Sequence, residues 1–211
     1  MRKIFQFLVL TFIFSSCARK YHNINPSRYT YENKMAITDE VNTSYLYDVQ
    51  NKEQNKPYAR KERKKGMKLI AVSIENNGEY PITLTKENFF IQTHSQKTIR
   101  IIDSELYAQT IRQFSEVFLL AYGIAGIGVI VEQSNFGGTT TTETSVTYNP
   151  IPLCIGIGNA IFAGSSNKNQ KTNLIENNIF NTPILPKTTL YGLVAIDETS
   201  YPELDFKFIE N

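Results

Sequence analysis

Tryptophan is absent from this 211-residue chain, and cysteine and histidine occur only twice each. Two cysteines cannot build a disulfide framework. Two histidines, His22 and His94, with no cysteine cluster beside them, exclude the usual zinc ligand sets. His94 reads as a surface residue near a strand edge. The chain also lacks a long apolar span. Its two interior apolar stretches, 117–131 and 150–164, hold fifteen residues each. As helix that is about 22 Å, short of a hydrocarbon core of about 30 Å. Excess charge is lacking as well. There are 22 basic and 20 acidic side chains. Arg2 and Lys3 account for the difference, so no nucleic-acid surface is indicated.

Motifs for chemistry are missing in the same way. Gly156-Ile157-Gly158 opens like a dinucleotide fingerprint, but Ile161 stands at the third glycine. Gly158 to Gly164 is one residue too long for a phosphate loop, and no lysine follows. No glycine closes Gly164-Ser165-Ser166 as a nucleophile elbow requires. No catalytic, metal or cofactor residue is assigned.

What is present begins at the start of the chain. Arg2-Lys3 precede an apolar run, Ile4 to Phe14, broken only by Gln6 and Thr11. It closes on Phe14-Ser15-Ser16-Cys17. A basic start, an apolar middle and a small-residue end make a secretory signal. A large apolar residue, two small ones and a cysteine resemble the lipobox of bacterial lipoproteins, with Phe14 in place of the usual Leu. The resemblance implies removal of residues 1–16 and lipid attachment at Cys17. It also implies a bacterial outer-membrane location. The residues after Cys17 are the basic Arg19-Lys20, not the acidic surface-export pattern, so the resemblance implies a periplasm-facing tether. Cys154, in apolar Ile151–Ile155, then has no partner within the chain and is expected to be buried.

Residues 17–28 read as a polar tether and 29–211 as the folded domain. Tyr29–Ile37, Thr43–Val49 and Met67–Glu75 have strand periodicity. Residues 70, 72 and 74 face one way, and Leu69 and Ala71 make the opposite side apolar too, the mark of a central strand. The Asn51–Lys65 segment, with its basic run Arg60–Lys65, reads as a solvated loop or strand end. Asn76-Asn77-Gly78 marks a tight turn into a strand at Tyr80–Thr85. Phe89–Thr93 and Thr98–Ile102 continue the series. At Asp103, a candidate N-cap, the period turns helical through Tyr107, Ile111, Phe114, Phe118 and Ala121. The apolar segments 117–131 and 150–164 read as a helical pair. The polar Glu132–Asn149 between them reads as an exposed, mobile loop. Short segments after Ile179, then Thr188–Ile196 and Leu204–Phe208, close the chain as strands.

Two pieces carry a further resemblance. One is Lys68-Leu-Ile-Ala-Val-Ser-Ile-Glu-Asn-Asn-Gly78, followed by Phe89-Phe90-Ile91. The other is Ile184 to Ile196, with Gly192 before Leu193-Val194. Together they resemble uncharacterised bacterial lipoproteins with an immunoglobulin-like β-sandwich interrupted by Gly-rich apolar segments. The resemblance implies an α+β, mainly β chain: an Ig-like antiparallel β-sandwich with an inserted pair of apolar Gly-rich helices at about 103–178. It transfers no site beyond Cys17. The function expected is that of a non-catalytic binding or structural module of the cell envelope. Its partners would be the membrane, through lipidated Cys17, and an envelope protein or a second copy of the chain. The alternatives are a membrane-inserting or membrane-perturbing protein using 117–131 and 150–164, and a hydrolase whose site assembles only in space. The apolar pair has three readings: packed on the sandwich, inserted in the membrane, or an oligomer interface.

Overall fold

The computed structural model describes residues 18–31, 34–136 and 139–209. The expected signal 1–16 and Cys17 lie outside them. Helix makes up about 35% and strand about 31% of the chain. The expected "mainly β" character is therefore corrected to a mixed α and β chain with antiparallel sheets. It divides into two compact units. The larger is Tyr21–Arg112 with Asn167–Asn211, and the smaller is Gln113–Ser166 with residues 18–20.

The larger unit opens on a 3-10 turn, Pro26–Arg28. The strands β1 (Lys34–Ala36) and β2 (Val41–Leu46) follow, then the helices α1 (Val49–Lys52) and α2 (Lys56–Lys65). Next come β3 (Lys68–Asn76), β4 (Ile82–Thr83), β5 (Phe89–Thr93), β6 (Thr98–Ile99), β7 (Ile101–Ile102) and the helix α3 (Ser104–Ile111). The smaller unit contributes α4 (Ser115–Ala125), β8 (Ile127–Phe136) and β9 (Thr139–Tyr148). The long helix α5 (Pro150–Glu176) begins in it and ends in the larger unit. The strands β10 (Pro183–Ile184), β11 (Thr188–Ile196) and β12 (Leu204–Phe208) complete the larger unit.

The sheet order β1-β2-β3-β11-β7 puts β3 at the centre, as its two apolar faces demand. β11 pairs with β3 along its whole length, from Thr188 opposite Asn76 to Ile196 opposite Lys68. A second sheet has the order β12-β5-β6. The chain changes sheets at Arg100: β6 pairs with β5 and β7 with β11. Tyr45, Val72, Ile74 and Val194 of the first sheet share one core with Phe89, Ile91, Leu204 and Phe206 of the second. The other face of the first sheet, through Leu69, Ala71 and Leu193, packs with Tyr58, Tyr107, Ile111 and Leu174 of the helices. Gly192 is required where β11 meets the segment after α5. A Cβ there would lie 2.6 Å from the Asn177 carbonyl oxygen and against the Ile179 side chain.

Several expectations are corrected. Residues 21–28 are not a tether. Tyr21 and Ile24 are buried, because the Asn173 side chain partners the Tyr21 hydroxyl and the Ile24 backbone N–H and carbonyl. The Asn51–Lys65 segment is helical. Tyr58, Ala59 and Glu62 recur on one buried face of α2, and the basic residues take the other side and the last turn, where they complement the helix C-terminus. The turn after Asn76 does not close a hairpin. Asn76 Oδ1 accepts from the Gly78 N–H, but β4 pairs with β10 instead of β3. Asp103 does cap a helix, accepting from the Glu105 and Leu106 N–H groups. That helix stops at Ile111, and the expected stripe resumes in a second one.

The largest correction concerns the apolar pair. The 117–131 segment is helical only to Ala125; from Ile127 it is a strand. Its β-branched Ile127, Val129, Ile130 and Val131 suit a pleated surface better than a helix. Within the expected loop Glu132–Asn149, Glu132–Phe136 continues that strand and Thr139–Tyr148 is its partner, in register from Ile127 opposite Tyr148 to Phe136 opposite Thr139. The threonine run is β-branched, and it forms a strand. The second segment, 150–164, is helical as expected and extends to Glu176.

Candidate functional site

In the smaller unit the sequence places small residues where helices must approach. A Cβ on Gly156 of α5 would stand 2.6 Å from Tyr122 Cβ and 3.0 Å from the Phe118 carbonyl oxygen of α4. The two helices therefore touch through Gly156, with Tyr122 buried between them. Ala163 of α5 is buried as well, but many of the other apolar side chains face outward. Leu120 of α4 is 67% exposed and Ile161 of α5 is 69% exposed. Val117, Ile124, Ile151 and Ile155 are also exposed. On the hairpin, Ile127, Val129 and Val131 share one face with Val146 and Tyr148, and each is more than half exposed. A two-stranded sheet is marginal alone in water, and apolar surface on this scale marks a docking or membrane face. Among the described residues no helix is long and apolar enough to cross a membrane.

The start of the described chain belongs to the same unit. Cys17, the one sequence-predicted site residue, lies outside the described residues. Its neighbours do not. The Ala18 N–H donates to Asn159 Oδ1 of α5 at 3.4 Å. The Arg19 N–H donates to Gln113 Oε1 at 3.1 Å, and Gln113 Nε2 donates back to the Arg19 carbonyl at 2.7 Å. Gln113 is buried, so the chain leaving Cys17 is clamped by a paired amide rather than trailing in solvent. Arg19 and Lys20 are exposed beside that clamp. Cys154 is exposed on α5, which corrects the expected burial: its apolar neighbours lie on the outward side of the helix, not in a core.

A second centre lies in the larger unit, where no sequence motif marks it. Glu62 of α2 is buried. Its Oε1 accepts from the Tyr107 hydroxyl at 2.5 Å and from the Leu69 N–H at 2.7 Å. Gln50 Nε2 donates to the Tyr107 oxygen at 3.3 Å. Beside them the Lys68 ammonium sits 3.5 Å above the Tyr201 ring, and the Tyr201 hydroxyl donates to Asp48 Oδ1 at 2.7 Å. Burial pushes the Glu62 carboxyl up to about 7, against the opposing hydrogen bonds from Tyr107 and Leu69 and the charge of Lys68. Burial also lowers Lys68. The space beside this group is about 10 Å³, room for one water and no substrate. Glu62 was hidden within a charge run; its spacing from Tyr58 was the available signal.

His94 is exposed, as expected, with Nδ1 4.0 Å from Asp205 Oδ2. Among the described residues no group of three or more His, Cys, Asp or Glu is placed to hold a metal ion. No protein-family model, no curated protein and no solved structure matches this chain.

Proposed function

We propose that this chain is a lipid-anchored protein of the bacterial cell envelope, attached through Cys17, and that its smaller unit lies on the membrane as an interfacial element. The larger unit is then a non-catalytic binding or structural module held at that surface. One observation carries the membrane contact: the residues next to Cys17 are clamped by Gln113 and Asn159 in the unit that exposes Leu120, Ile161 and the Ile127–Val131 face. An acyl chain on Cys17 would enter a bilayer beside those side chains. Apolar side chains buried beside the lipid add to its hold on the bilayer. Arg19 and Lys20 suit anionic headgroups at the same place, at about 1 kcal/mol per charge. The unit is thus a membrane-lying element, which favours the second of the three readings of the apolar segments in an interfacial form. The Ig-like sandwich belongs to the proposal as well. Its support is the pair of antiparallel sheets that share one core.

Two measurements test this. Labelled palmitate should enter the wild-type chain and not Cys17→Ser; no label in the wild type refutes the anchor. The chain lacking residues 1–17 should float with vesicles of phosphatidylethanolamine and phosphatidylglycerol, and the Leu120→Glu, Ile124→Glu, Ile161→Glu triple variant should stay behind. If the unlipidated wild-type chain remains soluble and monomeric beside such vesicles, the membrane-lying unit is refuted.

A further inference from the structure

The face of the first sheet that packs with the helices near Leu69 and Ala71 carries, further along at Ser73 and Glu75, a feature that the membrane contact does not use. Strand alternation sends Val72 and Ile74 inward and Ser73 and Glu75 outward. Register then lines up two rows across the sheet. Lys34, Ser44, Ser73 and Tyr191 form one; Asn42, Glu75 and Thr189 form the other. Tyr29 and Tyr31 close the side, and together these residues line a recess of about 320 Å³ open to solvent. That volume falls at the lower end of small-ligand sites, about 300–1,000 Å³.

The walls are held in place. The Tyr29 hydroxyl donates to Glu53 and the Tyr31 hydroxyl to the Pro26 carbonyl, both at 2.8 Å. The Tyr31 and Tyr191 rings lie 5.9 Å apart, tilted by 33°. Lys34 Nζ is 2.5 Å from Glu75 Oε2, and Asn42 Nδ2 donates to the same oxygen at 3.4 Å.

The chemistry of the lining selects among ligands. Lys34 and Glu75 neutralise each other, so a strongly charged ligand would find no net attraction. Serine, threonine and asparagine groups would be stripped of water without replacement by a lipid or an apolar ligand. A ligand that brings its own hydroxyls restores those hydrogen bonds, and its C–H faces can lie on the tyrosine rings. We infer that this recess is a binding site for an uncharged saccharide ring, seated against Tyr31 and Tyr191 and hydrogen-bonded by the Ser44, Ser73, Asn42, Glu75 and Thr189 side chains. This site lies wholly in the larger unit and is independent of the membrane contact.

The test is an amide-shift titration of the chain lacking residues 1–17. The probes are N-acetylglucosamine, its β-1,4-linked trimer, glucose and maltotriose, with inorganic phosphate as the charged control. At least one sugar should give saturable shifts at Ser44, Ser73, Glu75, Thr189 and Tyr191, with a dissociation constant of the order of 1 mM. Phosphate should give none there. Tyr191→Ala should weaken the sugar by about tenfold or more, equal to about 1.4 kcal/mol, while Tyr191→Phe keeps most of the affinity. Should Tyr191→Ala fail to fold, the exposed Thr189→Val serves in its place and should weaken binding severalfold. If no sugar in the set produces saturable shifts at these positions, or if folded Tyr191→Ala binds as well as the wild type, the saccharide site is refuted. For a chain that binds one of the sugars, isolated cell-wall polymer added as a sedimentable probe separates the sources: pelleting with the polymer assigns a polymer ligand, and its absence assigns a free sugar.

Discussion

The Tyr107 hydroxyl and the Glu62 carboxyl meet at 2.5 Å in the buried contact between α2 and α3, and both side chains are shielded from water. Tyr21, Lys68 and Asp48 are the other titratable groups that act on this pair. The pair makes stability depend on pH in a defined sense. The folded carboxyl titrates at about 7, above its ordinary 4.5. The folded state therefore holds the proton more tightly. Stabilisation is complete below pH 4.5 and is lost as pH rises through 7. Thermal stability should fall between about pH 5 and pH 8, by no more than roughly 3 kcal/mol. Glu62→Gln keeps an acceptor for Tyr107 and Leu69 but cannot ionise, so its melting curve should be flatter over this range. Equal slopes for the two proteins would be evidence against an ionisable buried Glu62.

Asn173 secures the start of the larger unit. Its Oδ1 accepts from the Tyr21 hydroxyl and the Ile24 N–H, each at 2.9 Å, and its Nδ2 donates to the Ile24 carbonyl at 3.0 Å. Asn173→Ala leaves three buried groups without these partners, at a cost of about 2–4 kcal/mol. The denaturation midpoint should drop accordingly. Trypsin should also cut faster after Lys20 and Arg28, since the segment between them loses its hold on α5. A variant that melts like the wild type and resists trypsin equally would show that the segment is held otherwise.

Two glycines of α5 should respond in opposite directions. Gly156→Val places a side chain against the Phe118 carbonyl and Tyr122, and should destabilise by about 1–3 kcal/mol. Gly158 has nothing within 4 Å of a new Cβ. Gly158→Ala should stabilise by up to about 1 kcal/mol through helix propensity alone. Paired melts decide this, and a neutral Gly156→Val would contradict the close helix contact.

Exposed Cys154 should react with a small maleimide in the folded protein at nearly the rate seen after denaturation. Bound to vesicles, the same thiol should be slowed severalfold, because α5 carries Ile151 and Ile155 on either side of it. Mass spectrometry reads the extent of labelling. Slow labelling in free solution would return Cys154 to a buried site; unchanged labelling on vesicles would place α5 off the membrane.

Strands with strict alternation were legible because period two is a local property. β3, β11 and β12 fell where the apolar parity placed them. The Asp103 cap was legible for the same reason: its partners are two and three residues away. Segments of uniform character were not. Residues 117–131 are apolar throughout, so no period marked the change from helix to strand at Gly126. The charge run Arg60–Lys65 masked a helix with one buried face. The recess under Tyr31 and Tyr191 was not visible, because register across four strands builds it from residues far apart in the chain.

The sequence by itself determined the elements whose signals are short in range: alternating strands, the capped helix and the expectation of an anchor at Cys17. Only the tertiary structure decided which polar groups are buried and which apolar ones are left in solvent. Glu62 and Asn173 are inside because α3, α5 and the Tyr21–Ile24 segment bring them partners from across the chain. Leu120, Val129 and Ile161 are outside because the helix pair and a two-stranded hairpin have too few layers to cover them. Burial is a property of what packs on a residue, and a single chain segment does not specify its neighbours.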